Sequence, residues 1–220
     1  MQGYEEFQKR FEFSPELRKA LFENAQYQTF EAGEEIIAQG DTLDSIGFVL
    51  EGVLTGNRGN YDGVERMIGL VGAGDIYAET GLFHTTKAFC TFQAVTDCTV
   101  LVVPNEVIET IDNKLEMMEF LFWSQSKKLQ YTSMIHFAST ERDKVIKVAA
   151  ILEAIAHYSH LEDIPLTIEQ LASFLGMSRN TVSKSLRELN KRGALEIGKS
   201  GICIKNRYLL TIDGSGKKLF

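Results

Sequence analysis

The sequence predicts an α+β chain in three parts. An antiparallel β-sandwich or barrel comes first, a long helix stands in the middle, and a winged helix-turn-helix closes the chain. Three observations predict this. Residues 26–103 break into short β-branched and aromatic runs separated by Gly, Asp and Asn. The stretch from about Leu115 to Ala138 keeps one unbroken helical pattern. Residues 166–192 hold two short amphipathic segments that meet at Gly176. The expected boundaries are 1–113 for the barrel, 114–140 for the long helix and hinge, and 141–220 for the C-terminal domain.

Ser14-Pro15-Glu16 is a helix start: a capping serine, a proline at the first turn, then an acid. That helix is expected to end near Asn24. Turn signals then recur at Gly33, Gly40-Asp41, Gly52, the run 59–63 and Gly72-Ala73-Gly74-Asp75. Pro104 opens a short helix through Ile111. The first turns of the long helix are apolar nearly all round, from Met117 to Trp123. The pattern then narrows to a stripe. Met118, Phe122, Gln125, Leu129, Thr132 and His136 alternate by four and three, as in a coiled-coil seam. A seam needs a partner, and the expected partner is the same helix of a second copy, since symmetric pairs are the commonest oligomers. The competing reading buries this helix against its own barrel. The polar run Ser139 to Asp143 marks a hinge, and a helix from Asp143 to about His157 follows. After residue 192, Ala194–Ile197 and Ile202–Lys205 flank Gly198-Lys199-Ser200-Gly201, a β-hairpin with a glycine-rich tip.

The segment LTIEQLASFLGMSRNTVSKSLRELNKR carries the most chemistry. Leu166, Leu171, Phe174 and Leu175 give its first helix an apolar face. Gly176 stands where the chain must turn sharply. Ser178 caps a second helix with Val182, Leu186 and Leu189 at helical spacing. The opposite face holds Arg179, Asn180, Ser183, Lys184 and Arg187. A short helix with a docked apolar face and outward donors suits the major groove of double-stranded DNA. An ordinary helical hairpin with a solvated basic face is the bland alternative.

The net charge of -7 looks wrong for a DNA-binding chain until it is divided. Residues 1–139 carry -11 and residues 140–220 carry +4. Phosphates respond to local positive charge, so the basic part is the part with the helical motif. No apolar run approaches bilayer-spanning length and no signal peptide is read, so a cytoplasmic location and no membrane partner are expected. Cys90, Cys98 and Cys203 are far apart and lack metal-ligand spacing, so they read as small buried hydrophobes.

The order of parts resembles the Crp/Fnr family of bacterial transcription regulators over almost the whole chain. The residues that carry the resemblance are Phe30-Glu31-Ala32-Gly33-Glu34, Gln39-Gly40-Asp41, Val49-Leu50-Glu51-Gly52, Gly74-Asp75-Ile76, Gly81-Leu82-Phe83 and Leu171 to Leu189. It implies that the barrel is an antiparallel double-stranded β-helix, or jelly-roll barrel. It further implies a homodimer on a palindromic site, RNA polymerase as a further partner, and a small effector in the barrel. Thr167, Ser178 and Thr181 match family positions that hold backbone phosphates, with Arg187 and Lys199 as additions. Arg179, Asn180, Ser183 and Lys184 match the base-reading positions. Family members commonly carry glutamate where Asn180 stands. Asparagine pairs with adenine N7 and N6, so an A·T pair is expected where glutamate would favour C·G; contact of Asn180 with a phosphate or only water is the bland alternative.

The family's barrel holds a cyclic-nucleotide pocket, and this sequence matches it in part. By resemblance the pocket would be lined by Tyr77, Glu79, Lys87, Ala88, Phe89, Lys128, Leu129, Thr132 and Ser133. Ala78-Glu79 stands for the Gly-Glu pair that meets ribose, and Thr132-Ser133 for the Thr-Ser pair that meets adenine. Ala88-Phe89 stands where an Arg-Ser pair should grip the cyclic phosphate, the loop is one residue short, and Lys87 is the only cation nearby in sequence. A buried phosphate without its arginine is poorly compensated. The expected effector is therefore a small molecule other than cAMP, or none. A cAMP-responsive regulator is the alternative, and Phe89 filling the pocket as core is the bland one.

Other chemistries fit worse. An iron-sulfur cluster needs four thiolates, which Cys90 and Cys98 cannot supply. His84 and His136 are possible haem ligands by type only, and a lone histidine is usually structural. A cupin-like metalloenzyme would need several histidines in the barrel region, which holds one, His84. No catalytic triad or paired carboxylates stand out, so no enzyme is expected and no metal site is assigned.

Overall fold

A computed structural model describes residues 3–59, 63, 65–83, 87–159, 161–212, 216 and 218. Its helices and strands fall into two compact units, Met1–Ser126 and Lys127–Phe220. His84 lies outside the described residues. No helix among the described residues is long and apolar enough to cross a membrane.

The first unit opens with two helices, α1 (Tyr4–Arg10) and α2 (Pro15–Glu23). Strands β1 (Gln26–Phe30), β2 (Glu35–Ile37), β3 (Ser45–Glu51), β4 (Val53–Gly59), β5 (Glu65–Gly72), β6 (Ile76–Tyr77), β7 (Thr91–Ala94) and β8 (Cys98–Pro104) follow. They form two four-stranded sheets, ordered β1-β8-β3-β6 and β2-β7-β4-β5, with antiparallel pairing throughout. Strands β3 and β8 read as continuous apolar runs because both faces of their sheet are covered. Ile46, Phe48, Leu50, Leu101 and Val103 point into one core, which also takes Phe7, Leu17, Leu21, Met117 and Leu121 from helices. Val49, Val100 and Cys98 alternate to the other face and meet Leu54, Val71 and Ala94 of the second sheet. Gly47 is fixed by a close approach: a Cβ there would lie 2.0 Å from the Tyr77 ring, its cross-strand partner.

The sequence signals at the helix starts hold. The Ser14 hydroxyl accepts from the Leu17 N–H at 3.3 Å. Its own N–H and O–H both donate to the Glu116 carboxylate at 2.6 Å, tying α2 to the first turn of the long helix. Helix α1 has no such signal: its cap is Gly3, without a side-chain hydrogen bond. What holds α1 is Phe7, fully buried against Phe11, Phe13, Phe22 and Phe48.

Helix α3 (Asn105–Thr110) follows β8, and α4 (Lys114–Ser139) is the long helix. The second unit takes the end of α4, then α5 (Lys144–Ser159), β9 (Asp163–Ile164), α6 (Ile168–Leu175), α7 (Arg179–Lys191), β10 (Leu195–Ile197), β11 (Ile202–Ile204) and α8 (Arg207–Leu210). Asp143 caps α5, its carboxylate accepting from the Val145 and Ile146 N–H groups at 2.8 and 3.0 Å. Helix α5 buries Val148 through Leu152 almost all round and packs on α7. Arg207 closes the unit by a two-pronged contact with Glu153 of α5, at 3.0 and 2.6 Å.

Candidate nucleic-acid interface and effector region

The α6–α7 pair is built from matched caps. The Thr167 hydroxyl accepts from the Gln170 N–H at 3.1 Å, and the Gln170 side chain returns an acceptor to the Thr167 N–H at 2.8 Å. This reciprocal box satisfies two donors that a helix start would leave open. Helix α6 ends at Gly176 with φ 61°, in the left-handed region that costs glycine nothing. Two residues later the Ser178 hydroxyl accepts from the Thr181 N–H at 3.2 Å, and the two hydroxyls share a 2.8 Å hydrogen bond. The hydroxyls of Thr167, Ser178 and Thr181 thus all stand at helix N-termini, where backbone N–H groups and the helix dipole favour an anion.

Helix α7 docks by Val182, Ser185, Leu186 and Leu189, all buried. Arg179, Asn180, Lys184 and Arg187 are exposed, and Ser183 is half-buried on the same side. Lys191 continues the exposed row beyond Asn180, Lys184 and Arg187 at helical spacing. Arg179 forms an ion pair with Glu169 of α6, its Nε 3.4 Å from the carboxylate. The expected hairpin is present, but it is two strands of three: β11 pairs with β10 on one side and with β9 on the other. Lys199 at the tip is exposed.

Of the expected effector residues, Tyr77, Glu79, Lys87, Ala88 and Phe89 lie in the first unit. Tyr77 is buried between the sheets against Phe92, with ring centroids 5.3 Å apart, and burial pushes its phenol well up. It borders a cavity of about 260 Å³ shared with Gln28, Asp41, Thr42, Asp44 and Val102. Among the residues expected in the pocket, Tyr77 is the one that lines this cavity. Lys87 reaches its edge only through Thr42, donating to the Thr42 hydroxyl at 2.9 Å. Ala88 is buried, and its N–H donates to the Asp41 carbonyl at 2.8 Å.

Phe89 corrects two expectations. It is not core: the side chain is 58% exposed. Its ring lies under the Arg58 guanidinium, 3.7 Å from the centroid, and Arg58 donates to the Phe89 carbonyl at 2.6 Å. So Lys87 is not the only cation near this loop. Arg58 is, however, turned to the outer ring of Phe89. The charged groups lining the cavity are the carboxylates of Asp41 and Asp44.

Glu79 is 4% exposed and accepts from the Gln125 amide of α4 at 2.6 Å. It follows Ala78, whose φ of 65° is the one positive value at a non-glycine among the described residues. Gln125 therefore departs from the expected seam, since its side chain is turned to the roll. The remaining seam residues stand open: Met118 at 48%, Phe122 at 76% and Leu129 at 69%, with Thr132 and His136 exposed as well. Leu115, one turn earlier, extends the row and is exposed too. Lys128, Leu129, Thr132 and Ser133 belong to the second unit. There the Thr132 and Ser133 hydroxyls donate to the carbonyls of Lys128 and Leu129, at 2.9 and 2.8 Å.

Comparison with known proteins agrees with this architecture. Residues 27–114 match the family model of the cyclic nucleotide-binding domain, and residues 146–211 match the Crp-like helix-turn-helix domain. A "Probable transcriptional activator" of Rhizobium leguminosarum bv. viciae is 28% identical over 76% of this chain and 72% of its own. FixK2 from Bradyrhizobium japonicum has the same fold, with a TM-score of 0.71 at 20% identity over 84% of this chain and 95% of that one. The c-di-GMP responsive global regulator CLP of Xanthomonas campestris superposes with a TM-score of 0.68 at 16% identity, over 86% and 97%. These matched domains and relatives are those of transcription regulators, not enzymes. The two matched domains, in this order on this fold, place the chain in the Crp/Fnr family of transcriptional regulators.

Proposed function

We propose that this regulator acts as a homodimer that reads a two-fold symmetric DNA site with α7. The observation that carries the reading is α7 itself, whose docked apolar face leaves Arg179, Asn180, Lys184 and Arg187 in the open. In this reading Arg179, Asn180, Ser183 and Lys184 read base edges in the major groove. Thr167, Ser178, Thr181, Arg187 and Lys199 hold phosphates and fix the register. The exposed row Met118, Phe122, Leu129, Thr132 and His136 supports pairing of α4 with its copy, because the open apolar side chains of Met118, Phe122 and Leu129 need a cover. The functional division is then a sensing roll (1–113), a dimerisation helix with hinge (114–140) and a DNA-binding part (141–220). The regulator works in the cytoplasm and meets RNA polymerase at the promoter. Sedimentation at micromolar concentration, with and without a duplex carrying the site, tests the assembly. A dimer that Phe122→Glu converts to a monomer agrees with it, and a wild-type monomer in both conditions overturns it.

The effector is a small molecule other than cAMP. The acidic lining at Asp41 and Asp44 and the outward Phe89 support this. The competing cAMP reading rests on Glu79 and the Thr132-Ser133 pair, and on relatives such as the CRP-like cAMP-activated global transcriptional regulator of Mycobacterium tuberculosis. Titration calorimetry separates the two. No heat of binding at micromolar cAMP agrees with the proposal, and micromolar affinity that raises DNA binding contradicts it.

A further inference from the structure

The Arg179–Glu169 pair joins the first residue of α7 to α6 at the surface proposed to meet DNA. A carboxylate there is out of place for a phosphate-binding surface, because it repels the DNA backbone. Its position on the arginine gives it a use. The contact is an ion pair at Nε of Arg179, 3.4 Å from the carboxylate, between side chains 68% and 71% exposed, and it leaves the two terminal nitrogens for another acceptor. Those two terminal N–H groups form the fork that meets guanine O6 and N7. An arginine free at the surface samples many rotamers and takes any phosphate within reach. One paired at Nε favours the rotamers that keep the pair, and so biases the direction of its fork.

We propose that Glu169 is a positioning residue that sets sequence discrimination through Arg179. It holds the guanidinium for end-on contact with a guanine and, by its charge, weakens binding to DNA that lacks that guanine. This rests on the reading of Arg179 as a base-reading residue, so the test separates the two. Equilibrium binding is measured for wild type, Glu169→Ala, Glu169→Gln, Arg179→Ala and the Glu169→Ala/Arg179→Ala double variant. The duplexes are the selected site, single-base variants of it, and an unrelated sequence.

Arg179→Ala is expected to lose discrimination at one base pair of each half-site by about fivefold or more, the low end for a bidentate contact. Glu169→Ala should lose discrimination at that same base pair and at no other, while binding the unrelated duplex more tightly. Glu169→Gln, which keeps an acceptor oxygen without the charge, should bind the unrelated duplex more tightly too, with a smaller loss of discrimination. In the Arg179→Ala background, Glu169→Ala should no longer change discrimination. If Glu169→Ala alters affinity for every duplex by one factor, or its effect survives in the Arg179→Ala background, Glu169 is an ordinary surface charge and the inference fails alone. If Arg179→Ala loses discrimination at no base pair, the base-reading assignment fails, and the inference with it.

Discussion

In the Lys127–Phe220 unit, the polar groups with a proposed task stand at the surface on a frame of buried apolar residues. In the Met1–Ser126 unit, the carboxylate expected to meet an effector, Glu79, is turned inward. Asn180, Lys184 and Arg187 are exposed above Val182, Leu186 and Leu189. Glu79, by contrast, is buried and already bonded to Gln125 of α4. The first arrangement can meet a ligand as it is. In the second the carboxylate already has an internal partner, and breaking that hydrogen bond without replacing it is costly. Recognition of DNA can therefore be argued from one conformation, whereas effector recognition concerns the difference between two.

The largest effect should come from removing the frame of the first arrangement. Leu186 has no exposed surface, and Leu186→Ala should cost about 2–5 kcal/mol of stability. Urea unfolding checks this, and DNA binding should be lost with the fold. Next come the surface donors. Lys184→Ala should leave unfolding unchanged and reduce discrimination at one base position by about 1–3 kcal/mol if the lysine reads guanine. A loss equal on all sequences would reassign it to the backbone. Ser178→Ala sharpens the comparison, because the hydroxyl is both cap and proposed phosphate ligand. It should cost about 1 kcal/mol in stability and weaken binding to all sequences alike.

The smallest effect concerns the inward-turned region. Burial raises the Tyr77 phenol above its ordinary value, with the nearby Cys98 adding to the shift. The unfolded chain thus releases this proton first, and the stability it represents is present below about pH 10 and lost as pH rises beyond it. Tyr77→Phe should therefore change little at neutral pH and flatten the fall in stability above pH 10. An unchanged alkaline slope in a urea series would contradict the assignment.

Local signals in the sequence reached most of the second unit and less of the first. Thr167, Gln170, Gly176 and Ser178 act within three or four residues of themselves, so their spacing is their structure. Ser14-Pro15 was legible for the same reason. Helix α1 was not, since its seven residues begin at an uncapped glycine and are held by Phe7 in a distant aromatic cluster. The two residues of β9 were too few to show a period, so the wing read as a hairpin rather than a three-stranded sheet. The contacts that decide the effector region are longer in range. Arg58 lies 31 residues from Phe89, and Glu79 lies 46 from Gln125. No periodicity carries such pairs, so Phe89 could be read as core and Gln125 as seam.

Selection of binding sites from a random duplex pool tests the central claim most directly, with wild type and Asn180→Glu run side by side. The account predicts two-fold symmetric sites with half-sites about one helical turn apart. It also predicts one A·T position in each half-site that becomes C·G with the glutamate variant. Recovery of no common sequence, or of an asymmetric site bound by one copy, would contradict reading by a dimer. An identical half-site from both proteins would show that Asn180 does not read a base.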